Sequence, residues 1–162
     1  MRIDQRAFSL IELLIVVAII LIITAIAVPN FLRSRIAANQ ASAIESLRII
    51  ATGEVTYDTT YGTGYSTSLA ALGPPAPGQP TTSTAAGLVD DTLAAGLKSG
   101  YTFTYSVSTY NAATNTWNAY TLLANPTAYG VTGGVYYYTD QSFLICANST
   151  TTASSTDTAV GD

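Results

Sequence analysis

The sequence predicts an α+β fold, in which one long N-terminal α-helix packs on a small antiparallel β-sheet. Three observations support this. Residues 13–28 are apolar except for Thr24, a helical amphipathic pattern follows them, and short segments of alternating polarity fill the second half of the chain. A chain of 162 residues is long enough for one domain with its own hydrophobic core.

The long helix is predicted to cover residues 8–57. Its first half, residues 8–30, approaches the roughly 20 apolar residues that a helix needs to cross a bilayer. Pro29 removes a helical hydrogen bond, so we expect a kink or a loosened turn near residues 25–30. The second half, residues 31–57, carries an apolar stripe at three- and four-residue steps that should pack on the sheet. The stripe comprises Leu32, Ile36, Ala43, Ile44, Leu47, Ile50 and Ala51, and the charged side chains, Glu54 among them, are largely off it.

The rest of the chain divides into a loop, a sheet and a tail. Residues 58–100 are rich in proline and glycine, which predicts a loop, and Asp90 or Asp91 is expected to cap a short helix through residues 93–97. Residues 101–148 should form an antiparallel meander. Its four predicted strands are residues 101–108, 117–124, 135–139 and 143–147. The Ser/Thr-rich tail, residues 149–162, is expected to be exposed or mobile.

Composition excludes several classes of function. Only 10% of the residues are charged, the net charge is −4, and there is no histidine. We therefore expect no nucleic-acid partner, no histidine-based catalysis and no ordinary zinc site. Cys146 is the only cysteine, and its apolar neighbours predict a buried, inert thiol. We predict that the protein is not an enzyme and has no cofactor.

Three features of the second half are candidate sites. The 11 tyrosines are interpreted as aromatic residues of half-buried strands and of subunit contacts. Asp140 and Asp157, together with loop carbonyls, are candidate calcium ligands in the head. Asn148, Ser149 and Thr150 form a glycosylation sequon.

Glu12 lies near the start of the apolar run. A carboxylate at such a position costs on the order of 1–3 kcal/mol on membrane insertion, so we expect a function that offsets this cost. An ordinary secretory signal is the alternative, with Ala25-Ile26-Ala27 as a cleavage pattern and Val28 as the new N-terminus. Glu12 is unusual in such a signal, and the helical pattern continues past Ala27.

Residues 6–20, with the sequence RAFSLIELLIVVAII, closely resemble the class III signal of type IV pilins and type II secretion pseudopilins. The resemblance combines a short charged leader, Phe8, Glu12, an apolar helix and the downstream Pro29. It covers roughly residues 1–35. Beyond them, the amphipathic half-helix, the loop and the short sheet are similar to the family's globular head in layout, which implies a pilin-like fold.

The resemblance implies several roles. A prepilin peptidase would remove residues 1–7 by cutting between Ala7 and Phe8, and the new amine of Phe8 would be methylated. Glu12 would face the Phe8 amine of a neighbouring subunit during assembly, with Pro29 within the assembly helix. The sequence departs from the family at Ala7, where glycine is usual, at Leu21, where many members have glycine, and in lacking paired cysteines.

The function implied is that of a structural subunit. Residues 8–30 would anchor it in the bacterial inner membrane, where the assembly machinery would add it to a helical homopolymer that extends from the cell as a pilus or spans the periplasm. We favour a pilin, because the uncharged Thr/Ser/Tyr-rich head suits a long-lived exposed surface. A pseudopilin of a type II secretion system and a secreted soluble binding protein are the alternatives. The role of the filament, whether adhesion, motility, DNA uptake, electron transfer or secretion, stays open.

Overall fold

The computed structural model describes residues 8–160. The chain divides after Arg35 into two units, which we call the N-terminal segment (residues 8–35) and the head (residues 36–160). The elements in chain order are α1 (Leu10–Tyr61), a 3₁₀ turn (Leu69–Leu72), α2 (Asp91–Ala94), β1 (Leu97–Lys98), β2 (Tyr101–Asn111), β3 (Thr116–Pro126), β4 (Tyr136–Asp140), β5 (Cys146–Asn148) and β6 (Thr158–Ala159). The predicted α+β class, with one long N-terminal helix and a small antiparallel sheet, is confirmed.

The part of α1 that lies in the head buries one face. The buried side chains and glycine recur at steps of three and four residues, as one face of a helix requires. They are Ala43, Ser46, Leu47, Ile50, Ala51, Gly53, Glu54 and Tyr57. The predicted stripe began at Leu32, but Leu32 is exposed and Ile36 is only half-buried. The buried face therefore starts later, at Ala43.

The helix ends at Tyr61, four residues beyond the predicted end at Tyr57. Gly53 is buried against Leu88 and Val89, so it packs within the head instead of weakening the helix there. The left-handed backbone of Gly62 (φ 66°) ends α1, and its N–H donates to the Asp58 carbonyl at 2.8 Å. A glycine is favoured at this position because it adopts positive φ without steric strain.

The sheet is an antiparallel meander of six strands in the order β1 to β6. The meander was predicted, but with four strands. The last predicted strand, residues 143–147, begins only at Cys146, because a turn occupies the preceding residues. In that turn Asp140 accepts the backbone N–H groups of Ser142 (2.8 Å) and Phe143 (3.0 Å), and Phe143 has φ 62°.

The core of the head lies between one face of the sheet and the buried face of α1. The inward side chains of β2, β3 and β4 alternate with outward ones, as strands with one buried face require. They are Tyr101, Phe103, Tyr120, Leu122, Ala124 and Tyr137. Cys146 is also buried, as its apolar neighbours predicted.

The tail is more ordered than predicted. Thr158–Ala159 forms β6 and pairs with β5, the Val160 N–H donates to the Ile145 carbonyl at 2.7 Å, and Ala153 is only 4% exposed. Side-chain hydrogen bonds close the loop between the two strands, since Asn148 donates to Asp157 at 2.8 Å. Gly161 and Asp162, also in the predicted tail, lie outside the described residues.

The short helix of the predicted loop region is capped by Asp90. One Asp90 carboxylate oxygen accepts the backbone N–H of Leu93 at 2.8 Å, and the other accepts Lys98 Nζ at 2.6 Å. The hydrogen bond from Lys98, followed by those from Thr92 and Leu93, holds the pKa of Asp90 below its ordinary value. The helix spans Asp91–Ala94 and not the predicted residues 93–97, because β1 already occupies Leu97–Lys98.

Glu54 was predicted to lie largely off the apolar stripe, but its side chain is fully buried in the head. Its two carboxylate oxygens accept the backbone N–H (2.8 Å) and the hydroxyl (2.6 Å) of Ser66. Burial raises the pKa of Glu54 above 4.5, and the hydrogen bonds from Ser66 oppose this effect. The carboxylate thus fixes the chain that follows α1, at a buried position where desolvation disfavours the charged form.

Candidate functional site

The N-terminal segment begins with a capped helix end. The backbone N–H of Ser9 donates to Glu12 Oε2 at 2.9 Å. This contact is half of a capping box, in which a carboxylate at the third helical position satisfies a free N–H before the helix. The negative charge of Glu12 also faces the positive end of the helix dipole. Glu12 therefore stabilises the start of α1 within a single chain.

The apolar side chains of the N-terminal segment are not buried by any of the described residues. Residues 10–32 are apolar on all sides of the helix. The exposed set comprises Phe8, Leu10, Ile11, Leu13, Leu14, Ile15, Val16, Val17, Ile19, Ile20, Leu21, Ile22, Ile23, Ile26, Val28, Phe31 and Leu32. Within residues 8–160, α1 is the helix long and apolar enough to cross a membrane, and its most apolar window is entirely unburied. A helix that is apolar all round requires an apolar surrounding.

The uncharged polar side chains of the segment are satisfied within the helix. The Thr24 hydroxyl donates to the Ile20 carbonyl at 2.8 Å, and Asn30 Nδ2 donates to the Ile26 carbonyl at 3.1 Å. Such bonds let a polar residue lie in an apolar environment without an unsatisfied donor. Glu12 is the one charged residue between residues 10 and 32, and it accepts only from Ser9 among the described residues.

Pro29 lies inside α1 without ending it. The helix is continuous from Leu10 to Tyr61, and the kink or loosened turn expected near residues 25–30 stays a prediction. Proline deprives the Ala25 carbonyl of its helical donor. The next carbonyl along, that of Ile26, receives a side-chain donor from Asn30, and this contact supports the helix beside the proline.

The predicted sequon lies at the end of β5. Asn148 is half-buried, its Nδ2 donates to Asp157 at 2.8 Å, and its Oδ1 accepts the Thr150 backbone N–H at 2.9 Å. Ser149 and Thr150 are exposed. The amide of Asn148 is therefore engaged in the contact that closes the tail loop, whereas the neighbouring hydroxyl residues face solvent.

The two candidate calcium ligands are engaged separately. Burial opposes ionisation of Asp140, but hydrogen bonds from Ser142 and Tyr138 outweigh it and hold the pKa below its usual range. Hydrogen bonds from Ser154 lower the pKa of Asp157. Residues 8–160 contain no group of three or more carboxylate, cysteine or histidine side chains that could hold a metal ion.

Residues 2–28 match the prokaryotic N-terminal methylation motif. The chain carries the class III signal that is characteristic of type IV pilins and pseudopilins. A search of curated proteins found no match to the sequence. The motif includes Ala7, Phe8 and Glu12, the residues on which the resemblance was based. A signal of this class implies processing by a prepilin peptidase.

The structure places two of these residues, Phe8 and Glu12, at the start of α1. Phe8 is exposed directly before the helix, and Glu12 is in its first turn. Ala7 and the rest of the leader, residues 1–7, lie outside the described residues. The fold of the described chain, one long apolar N-terminal helix and an antiparallel sheet, is pilin-like.

Sequence reasoning missed two features of the head. One is Glu54, although it follows Leu47 and Ile50 at the spacing of the buried face, so the pattern contained the signal. The other is a cleft that brings together residues 63–67, 83–84 and 110–117. These segments are far apart in the sequence, and no local pattern relates them.

Proposed function

We propose that the protein is a structural subunit that assembles through its N-terminal segment into a type IV pilus-like filament. The observation that carries the proposal is that the apolar side chains of residues 10–32 are exposed on all sides of the helix, in a stretch that begins within a methylation motif. Burial of apolar area stabilises association by roughly 25 cal/mol per Å². A bundle of such helices from several copies provides that burial once the segment leaves the membrane.

Glu12 supplies the specificity of this assembly. A carboxylate in a dry helix bundle is strongly unfavourable unless a cation pairs with it. In a filament, the Phe8 amine of a neighbouring copy is that cation, and a neighbour in another register would leave Glu12 unpaired. Such a penalty selects one arrangement of subunits among many that bury similar apolar area.

The order of events follows from the two environments of the segment. It first lies in the inner membrane as a spanning helix, where prepilin peptidase cleaves the leader between Ala7 and Phe8 and the Phe8 amine is methylated. The assembly machinery then moves it into the filament core. Residues 8–30 are thus buried twice, first in lipid and then among copies of themselves.

A pilin is favoured over a pseudopilin by the surface of the head. The exposed residues of the outer strand faces are mostly Thr, Ser and Asn, which keep a surface soluble without strong charge. A pseudopilin of a type II secretion system is the second candidate. The methylation motif at residues 2–28 weighs against the secreted soluble protein with an ordinary signal peptide.

The variant Glu12→Val tests the proposal. In cells that make the protein and the assembly machinery, we expect normal cleavage, judged by mass on immunoblots, and no filaments in the sheared fraction by electron microscopy. Glu45→Val is the matched control, since Glu45 is an exposed glutamate of the same helix and lies in the head. Normal filaments from Glu12→Val cells would contradict the proposed role.

A further inference from the structure

A cleft in the head lies where the chain after α1, residues 83–84 and the tip of the β2–β3 hairpin meet. Its volume is about 220 Å³. The lining residues are aromatic or carry hydroxyl or amide groups, and none is charged. They are Tyr57, Thr63, Tyr65, Thr67, Ser83, Thr84, Tyr110, Asn115 and Trp117.

Aromatic rings form one wall of the cleft. The rings of Tyr110 and Trp117 are 4.8 Å apart between centroids, at 50° to each other. Tyr110 is 49% exposed and Trp117 is half-buried, so both present ring surface to solvent. Tyr65, a third wall residue, packs edge-on against Tyr120 at 4.8 Å, which fixes its ring from behind.

The backbone around the cleft is held in place. The Trp117 N–H donates to the Thr63 carbonyl at 3.0 Å, and the Tyr65 N–H donates to the Trp117 carbonyl at 2.9 Å. A Cβ on Gly64, which lies between them, would be 2.1 Å from the Trp117 carbonyl oxygen. Only glycine allows this approach. The chain that follows α1 is therefore hydrogen-bonded to the β2–β3 hairpin, and the cleft is formed before any ligand binds.

Positive φ angles occur beside the aromatic wall. Asn115 has φ 56° and Thr109 has φ 59°. Asparagine tolerates this conformation, but a β-branched threonine is rare in it. Strained backbone persists where the surrounding structure determines it, and it is concentrated at binding sites.

Polar groups of the lining are available to a ligand. Among residues 8–160, the Thr67 and Ser83 hydroxyls make no hydrogen bond within the protein, and both residues are exposed. The Ser83 carbonyl, in contrast, accepts the Tyr57 hydroxyl at 2.7 Å, which anchors this side of the cleft. The site thus combines aromatic surface with free hydroxyls, without a charged side chain.

We infer that this cleft binds a neutral saccharide. The apolar C–H face of a sugar ring packs on aromatic side chains, and its hydroxyl groups pair with the hydroxyl and amide groups of the lining. An uncharged lining provides no partner for an ionised ligand, and the net charge of −4 repels phosphates. The volume is below the roughly 300–1,000 Å³ of drug-sized sites, which limits the occupant to one sugar ring of a glycan.

The test uses the full chain in lauryldimethylamine oxide, a detergent without a sugar headgroup. Binding to an array of neutral and sialylated glycans identifies the saccharide. Titration is then followed by the fluorescence of Trp117, the only tryptophan of the chain, excited where tyrosine does not absorb. We expect a saturable change with a neutral glycan and none with free N-acetylneuraminic acid.

Two variants localise the binding. Tyr110→Ala removes an exposed ring of the wall, and we expect about tenfold weaker binding. Thr67→Val removes one free hydroxyl at nearly constant volume and should weaken binding severalfold. Tyr129→Ala is the matched control, because Tyr129 is 56% exposed and stacks on Tyr136 away from the cleft. Unchanged thermal unfolding establishes that each variant is folded.

The inference does not depend on filament formation, because the cleft lies within one head. Absence of binding to every neutral glycan of the array would overturn it. So would equal binding by Tyr110→Ala and the unaltered chain. If Tyr110→Ala abolishes filament assembly and leaves glycan binding intact, the aromatic wall is a subunit contact and the inference is wrong.

Discussion

The two parts of α1 differ in where their apolar side chains lie and in whether these side chains are buried. In the head, these side chains occupy one face of the helix and are buried against the sheet of the same chain. In the N-terminal segment, they surround the helix and are exposed. The N-terminal part is also much richer in Leu, Ile and Val than the part in the head. The distribution of apolar side chains around a helix indicates whether the same chain buries them or whether lipid or other copies must do so.

The largest expected effect comes from a matched pair of leucine truncations. Leu47 is fully buried in the head and Leu14 is 61% exposed in the N-terminal segment. Leu47→Ala should lower the free energy of unfolding of the head by about 2–5 kcal/mol, because it leaves a cavity. Leu14→Ala should change it by less than about 0.5 kcal/mol. Urea unfolding of the monomer, followed by far-UV and near-UV circular dichroism, measures both values.

Equal losses of stability from Leu47→Ala and Leu14→Ala would contradict the difference between the two parts of α1. They would mean that the N-terminal segment contributes to the packing of the head in the monomer. Leu14→Ala should instead reduce the yield of filaments, which provides an independent measure of the surface that other copies cover.

A smaller effect is expected from the pH dependence of the head. Because burial raises the folded-state pKa of Glu54, the folded state binds a proton more tightly than the unfolded state. Stability is then fully present below about pH 4.5, and it falls as the pH rises through the folded-state pKa, by at most about 1.4 kcal/mol per pH unit. With no histidine in the chain, few other side chains titrate between pH 5 and 8.

Thermal unfolding of Glu54→Gln as a function of pH isolates this contribution. We expect the fall in stability as the pH rises above about 4.5 to be smaller in Glu54→Gln than in the unaltered chain. Glu45→Gln is the control, since Glu45 is exposed on the same helix and should leave the profile unchanged. The depressed pKa values of Asp90, Asp140 and Asp157 act in the opposite direction and only under more acidic conditions. Parallel profiles for Glu54→Gln and the unaltered chain would refute this account of the buried carboxylate.

The smallest effect concerns the cap of α2. Asp90→Ala removes the acceptor of the Leu93 N–H and the partner of Lys98, and should lower the stability of the head by about 0.5–2 kcal/mol. Asp91→Ala should change it little, because Asp91 is exposed and is not the cap. Equal losses for the two variants in denaturant titrations would show that the cap contributes nothing beyond local charge.

The sequence was sufficient for the features that depend on local pattern. Apolar composition predicted the helix, alternation predicted the central strands, and Asp90 was one of two predicted caps. The two-residue strands β1 and β6 could not be predicted, because they exist only through pairing with β2 and β5. Phe143 was predicted to lie in a strand because it is apolar. The turn that Asp140 stabilises instead determines the backbone conformation of Phe143.

The candidate site was predictable to a similar extent. The motif at Phe8 and Glu12 is contiguous, so it was found in the sequence. The exposure of the helix that follows the motif is expected because that helix is apolar on all sides. The contact between Glu12 and Ser9 also follows the pattern of a capping box, although it was not predicted. The aromatic cleft required the fold, since it is formed when Gly64 is brought against Trp117.

In a filament of this kind, the N-terminal segment is retained after processing and is covered by other copies of the chain. The most direct test is the intact mass of the protein recovered from filaments sheared from cells. We predict a chain that begins at Phe8 with one added methyl group on its amine. A chain that begins at Val28, or that retains Met1, would contradict the account.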